Sequence, residues 1–345
     1  MASPNNRGFN TVQNSRVETR RKNETLQMYT LIGVICMAVL TVALLVVMAV
    51  GGLVGGDDHG SGGPAGEKVD WGSFTVTVTD TLQGNLVLVN DSHAYTFPAT
   101  AEHLASINDK RVTHNPRIYM QSGLSTYMDS TALDALDAML VDFHAATGKD
   151  DINLRYAYRS AEDQQELLDK GSSSVAVGHS DHHTGLGIQL SYSRDDRNYA
   201  LSTDPVYDWL FENCHKYGLV IRYPADKADV TGVEDYGEYF RYVGIPHATY
   251  MTEQGLCMEE YIEKLKDYDN EDPLEIKAAD GKTYEVYYVA VEGSATVKHP
   301  TNYPYSVSGT NEGGVVITVD RSATQSEAGT SADTSADTGA GVDEH

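Results

Sequence analysis

The hydrophobic pattern changes character three times along the chain. Between residues 25 and 56 no side chain is charged, and residues 29–50 (YTLIGVICMAVLTVALLVVMAV) are apolar almost throughout. About 20 such residues cross a hydrocarbon core of about 30 Å. The run therefore predicts a transmembrane helix rather than a core helix, whose apolar positions would be confined to one face. A cleaved signal peptide is the rival, but its apolar region normally spans about 7 to 15 residues. Residues 51–66 (GGLVGGDDHGSGGPAG) are rich in glycine and predict a flexible tether. From residue 321 (RSATQSEAGTSADTSADTGAGVDEH) there is no aromatic side chain, which predicts a disordered tail.

Between tether and tail, β-branched runs at 74–79 and 86–89 predict strands. Leu133, Leu136, Leu140 and Phe143 recur at three- and four-residue steps and predict a helix over 129–147. A strand is predicted at 152–158, then a helix opened by the capping box of Ser160 and Asp163 and running through Leu168. Another strand is expected at 186–192. Asp204-Pro205 and Gly218 bracket a further helix, proline first and glycine last. Strands at 219–223 and 239–243 complete a small, mainly antiparallel sheet flanked by helices, an α+β fold. After Tyr268 the pattern turns to strands at 284–291, 305–307 and 315–319, with turn signals at Asp280-Gly281 and Gly313-Gly314. The tyrosines here (Tyr284, Tyr287, Tyr288, Tyr303, Tyr305) suit strand packing, with carbohydrate contact as the rival use. The expected organisation is a tail (1–28), a transmembrane helix (29–50), a linker (51–70), a main α+β domain (71–268), an appended β module (269–320) and a disordered tail (321–345).

Charge adds topology. The 345 residues hold 25 Lys and Arg against 50 Asp and Glu, a net of −25. Five of the basic residues (Arg7, Arg16, Arg20, Arg21, Lys22) precede the apolar run, and Asp57 and Asp58 follow it. The positive-inside bias puts the N-terminus in the cytoplasm and the main domain outside the cell membrane, crossed once. So acidic an outer part excludes nucleic acid and anionic lipid headgroups as partners. Three cysteines are too few for a disulfide scaffold. Cys36 lies in the apolar run; Cys214 and Cys257 either pair or remain as two buried thiols.

The chemistry is carried by Ala157-Tyr158-Arg159-Ser160, by residues 178–190 (GHSDHHTGLGIQL), by 219–224 (LVIRYP) and by 240–244 (FRYVG). Over residues 84–268, order and spacing of these blocks resemble the VanY-type D-alanyl-D-alanine carboxypeptidases, zinc DD-peptidases that trim peptidoglycan stem peptides. The resemblance implies a metal motif Ser-x-His-x-x-Gly-x-Ala-x-Asp and a later Glu-Pro-Trp-His. On this chain Ser180 and Gly185 fit, and the first ligand falls on His182. The Asp ligand falls on Gln189, the second His ligand on Tyr239, and the catalytic Glu on Tyr236. The resemblance also implies that Arg159, Ser160 and Gln164 hold the substrate, Arg159 gripping its terminal carboxylate; the plain alternative is that Arg159 pairs with an acid and Ser160 caps a helix. Tyr156 stands where the family has Ser.

A catalytic zinc needs three protein ligands and an open position for water. A Gln amide brings no negative charge, and a Tyr phenol with an ordinary pKa of about 10 stays protonated. No cofactor is therefore expected, unless nearby donors (His179, Asp181, His183, Glu234, Asp235, Glu238) rebuild the zinc site. His183 is expected to be exposed, and His182 a hydrogen-bonded remnant. The leading expectation is a catalytically degenerate domain that binds or regulates peptidoglycan stem peptides. An active divergent metallo-carboxypeptidase with substitute ligands and a structural protein that meets a cell-envelope partner are the alternatives.

Overall fold

A computed structural model of the protein describes residues 69–122, 127–234 and 236–323. The expected transmembrane helix, the N-terminal tail and most of the C-terminal tail lie outside the described residues. Among the described residues no helix is long and apolar enough to cross a membrane. The strands are β1 (Trp71–Thr77), β2 (Leu104–Ser106), β3 (Met120–Gln121), β4 (Tyr127–Asp129), β5 (Ile152–Tyr156), β6 (Gly187–Arg194), β7 (Arg197–Tyr199), β8 (Leu219–Ile221) and β9 (Tyr239–Tyr242), followed by β10 (Leu274–Lys277), β11 (Thr283–Ala290), β12 (Ser294–Pro300), β13 (Tyr305–Gly309) and β14 (Gly314–Asp320).

The central sheet runs β3-β5-β6-β9-β8, with β7 paired to β6. Only the β3–β5 pairing is parallel, so the expected small, mainly antiparallel sheet is present. The helix Ser130–Thr147 packs on one face of it. Asp129 caps this helix by accepting from the amides of Thr131 and Ala132, and Gly148 ends it at φ 71°. Its predicted stripe of Leu133, Leu136, Leu140 and Phe143 is buried in one cluster with Ile188 and Leu190 of β6 and Phe240 of β9. Side chains alternate faces along a strand. Gly187 and Gln189 of β6, and Tyr239 and Arg241 of β9, consequently belong to the opposite face.

Three expectations need correction. Residues 86–89 are buried but form no strand. The Leu88 amide donates to the Thr310 carbonyl and the Leu86 amide to Ser308 Oγ, while the Arg241 guanidinium donates to the carbonyls of Asn85 and Val87. A side chain thus takes the acceptors that a neighbouring strand would have used. The helix bracketed by Asp204 and Gly218 is short, Asp208–Asn213, with 3-10 turns Pro205–Tyr207 and Cys214–Tyr217 at its two ends. Tight turns of this kind are common at helix ends. Here they keep Tyr207, Leu210 and Cys214 in the core.

The third correction concerns the boundary at 268/269. The expected β module exists as the four-stranded sheet β10-β11-β14-β13, but β1, expected to open the main domain, pairs with β12. Leu86, Val220, Met251 and Tyr261 share one buried cluster with Leu274, Ile276, Val286 and Val316. The two parts therefore share a core. β10 and β12 escaped notice because neither has the sustained β-branched run that marks β14. Cys214 and Cys257 are two free, buried thiols. Tyr287 and Tyr303 are buried, whereas Tyr305 is exposed beside Phe74 and His299.

Candidate functional site

A cleft of about 510 Å³ opens on the sheet face away from the helix Ser130–Thr147, lined by Arg159, His179, His182, Tyr223, Tyr236 and Tyr239 among others. Its wall is the loop 178–185, which turns through the 3-10 segment Asp181–Thr184 and closes at Gly185 with φ 71°. Two histidines bolt this loop to the segment after β5. His182 Nδ1–H donates to the Ala157 carbonyl at 2.9 Å, and His183 Nδ1–H donates to the Arg159 carbonyl at 2.7 Å. His183 Nε2 accepts from the Gly178 amide, and the Arg159 amide donates to the His182 carbonyl. His183 is fully buried, contrary to the exposed side chain expected, because both its nitrogens serve backbone groups. Burial first, and the nearby Arg159 charge second, push the His182 pKa down to about 3, so the ring is neutral at pH 7.

Arg159 lines the cleft, and its Nη1 donates to Gln164 Oε1 at 2.8 Å. Gln164 is wholly buried and also donates to Ser173 Oγ and the Val175 carbonyl. It fixes Arg159 from behind. Ser160 caps the helix Ala161–Asp169: its Oγ accepts from the Asp163 amide and donates to Asp163 Oδ2. Of the three residues expected to hold substrate, Arg159 lines the cleft, Gln164 stands behind it and Ser160 caps the helix.

The floor is aromatic. In the β5–β6–β9 register, Tyr156 stands opposite Gln189, and Gln189 opposite Tyr239. Tyr236 Oη donates to Gln189 Oε1 at 3.1 Å, and Tyr239 Oη donates to Asp181 Oδ2 at 3.1 Å. The Tyr239 ring lies perpendicular to His182 with centroids 4.8 Å apart, and Tyr223 and Tyr236 pack against it at 5.6 and 5.5 Å. Below lies a buried charge cluster. Asp181 sits between Arg222 Nε (3.8 Å) and Arg241 Nη1 (3.6 Å), and Glu259 takes Arg222 in a two-pronged pair at 2.9 and 2.7 Å. Burial and the Asp181 charge hold the Tyr239 phenol well above its usual pKa, so it remains a protonated donor.

Residues 125–245 match the VanY family, D-alanyl-D-alanine carboxypeptidase. A D-alanyl-D-alanine carboxypeptidase of Enterococcus faecium is 28% identical over 262 residues, covering 74% of this chain and 81% of that protein. The bifunctional D-Ala-D-Ala dipeptidase and D-Ala-D-Ala carboxypeptidase VanXYC of Enterococcus gallinarum is 30% identical over 135 residues, covering 35% of this chain and 71% of that protein. The chain belongs to the VanY family. Among solved structures, the vancomycin-resistance D,D-dipeptidase VanXYg in complex with a D-Ala-D-Ala phosphinate analogue superposes with a TM-score of 0.63 at 26% identity, covering 73% of this chain and all of that one. The α+β DD-peptidase-like fold is thus shared.

Against the VanY pattern, the donor set here does not fit a catalytic zinc. His182 keeps the tautomer a ligand needs, since its Nδ1 proton is committed to a carbonyl. Gln189 and Tyr239, at the other two ligand positions, are hydrogen-bonded to Tyr236 and Asp181. Tyr236, at the position of the catalytic Glu, has its phenol pKa raised further by burial and is no base at neutral pH. The substitute donors do not converge. Asp181 is held by two guanidinium groups, both His183 nitrogens serve backbone, Glu238 accepts from Ser202, and Glu234 is exposed. Asp235 lies outside the described residues. Among the described residues no three His, Cys, Asp or Glu side chains are grouped to hold a metal.

Sequence reasoning missed Tyr223, the Arg222–Glu259 pair and Gly187. The last was open to view, since the VanY motif has Ala at that position.

Proposed function

We propose that this protein is a catalytically inactive VanY-family receptor for peptidoglycan stem peptides, anchored outside the cell membrane by residues 29–50. Its cleft would take the terminal carboxylate of a D-Ala-D-Ala peptide on Arg159, whose planar fork suits two parallel hydrogen bonds to a carboxylate. The D-Ala-D-Ala specificity in the names of the relatives supports the ligand class. The observation that carries the reading is the pairing of Tyr236 with Gln189 and of Tyr239 with Asp181, which commits the positions of metal and base while Gln164 still holds Arg159 in the cleft.

Detergent-solubilised full chain would be titrated calorimetrically with a synthetic stem pentapeptide ending in D-Ala-D-Ala, and released D-alanine measured in the same samples. Saturable binding without turnover is expected. Loss of the Arg159 contact in Arg159→Ala should weaken binding by about 1.5–3 kcal/mol, roughly 10- to 150-fold in Kd. Sustained D-alanine release, or equal affinity in Arg159→Ala, contradicts the proposal.

A further inference from the structure

Gly187 stands in β6 with its backbone outside the left-handed region, so its conformation does not call for glycine. What calls for it is Tyr239. A Cβ built on Gly187 would lie 2.2 Å from Tyr239 Oη, 2.5 Å from Cζ and 2.7 Å from Cε1. Real Cβ atoms essentially never come within 3.0 Å of a non-bonded atom, so the phenol tip occupies the space of a side chain at 187. Nor can the ring easily retreat. It is buried, boxed by His182, Tyr223 and Tyr236, and tied by its hydroxyl to Asp181. A close-packed interior with one rigid ring has no slack to absorb another carbon.

We infer that Gly187 and Tyr239 form one coupled plug: the missing side chain at 187 is the socket of the phenol, and the seated phenol makes the cleft a metal-independent peptide-binding floor. Seated there, the ring lies against His182 and turns its hydroxyl to Asp181, so the imidazole has an aromatic neighbour where the VanY pattern has a second histidine. Position 187 therefore cannot take a side chain while Tyr239 is seated. This deepens the function proposed above and rests on it for the ligand, while the coupling itself rests on the packing.

The test is a double-mutant cycle in the detergent-solubilised full chain, combining Gly187→Ala with Tyr239→His and reading thermal unfolding. Gly187→Ala alone should lower Tm by roughly 5–10 °C through overpacking. In the Tyr239→His background the same change should cost nothing, because the smaller ring vacates the socket. If Gly187→Ala alone does not fold and the double variant does, the coupling is likewise supported. Equal shifts in the two backgrounds, or a double variant that also fails to fold, overturn it. A second measurement needs no variant: pentapeptide affinity of the wild type in a chelator and in excess zinc. It should be unchanged, and a tenfold or larger dependence on zinc overturns the metal-independent floor. Absence of any peptide binding contradicts the function proposed above, while the cycle still decides the plug.

Discussion

At the scale of single residues, the side chains around the cleft are held by specific hydrogen-bond partners. Gln164 illustrates the consequence. Gln164→Leu removes the acceptor for Arg159 and the donor to the Val175 carbonyl, and a buried polar group left unpaired costs about 1–3 kcal/mol. Weaker pentapeptide binding and a lower urea midpoint are both expected, whereas Arg159→Ala should change binding far more than stability. Much of this site was legible in the residues themselves. Laying the motif on the chain names His182, Arg159, Gln189, Tyr236 and Tyr239; all but Gln189 line the cleft, and Gln189 accepts from Tyr236 beside it. The capping box of Ser160 and Asp163 was legible too, and the structure shows it. The burial of His183 was not legible, because it depends on which backbone groups happen to face it.

At the scale of elements, the loop 178–185 is held by neutral imidazoles, which makes it sensitive to acid. The His182 and His183 pKa values are depressed, mainly by burial, while in the unfolded chain both titrate near 6.5. Below pH 6.5 the unfolded state therefore binds protons that the folded state refuses. The His182 contribution, present above pH 6.5, is lost as pH falls toward 3 with a slope of about 1.4 kcal/mol per pH unit, and the depressed His183 adds to the loss as pH first falls below 6.5. Urea denaturation at pH 7 and pH 5 should show the loss, and His183→Asn should show a smaller one. The helix Met258–Leu265 offers a second test through Glu259. Removing it in Glu259→Leu leaves Arg222 buried beside Asp181 alone and should cost about 3–5 kcal/mol, measured by the same method. Periodicity found the long helix Ser130–Thr147 because its buried stripe is continuous. It missed the coil character of 86–89 because burial on all sides looks the same for a strand and for a coil whose carbonyls are taken by an arginine.

At the scale of the molecule, composition could not show that the β module and the cleft-bearing part share a core. That sharing depends on contacts between residues far apart in the chain, such as Leu86 and Tyr261 with Ile276 and Val316. A chain ending at residue 268 should accordingly expose this cluster and aggregate on expression, whereas an appended domain could have been removed cleanly. The most direct measurement for the molecule as a whole is its zinc content, by elemental analysis of purified full chain after incubation with zinc and dialysis. Far less than one zinc per chain is expected, since the donors beside His182 are an amide bonded to Tyr236 and a phenol bonded to Asp181. One tightly held zinc per chain that disappears in His182→Ala would contradict the reading of this cleft as a receptor without catalysis.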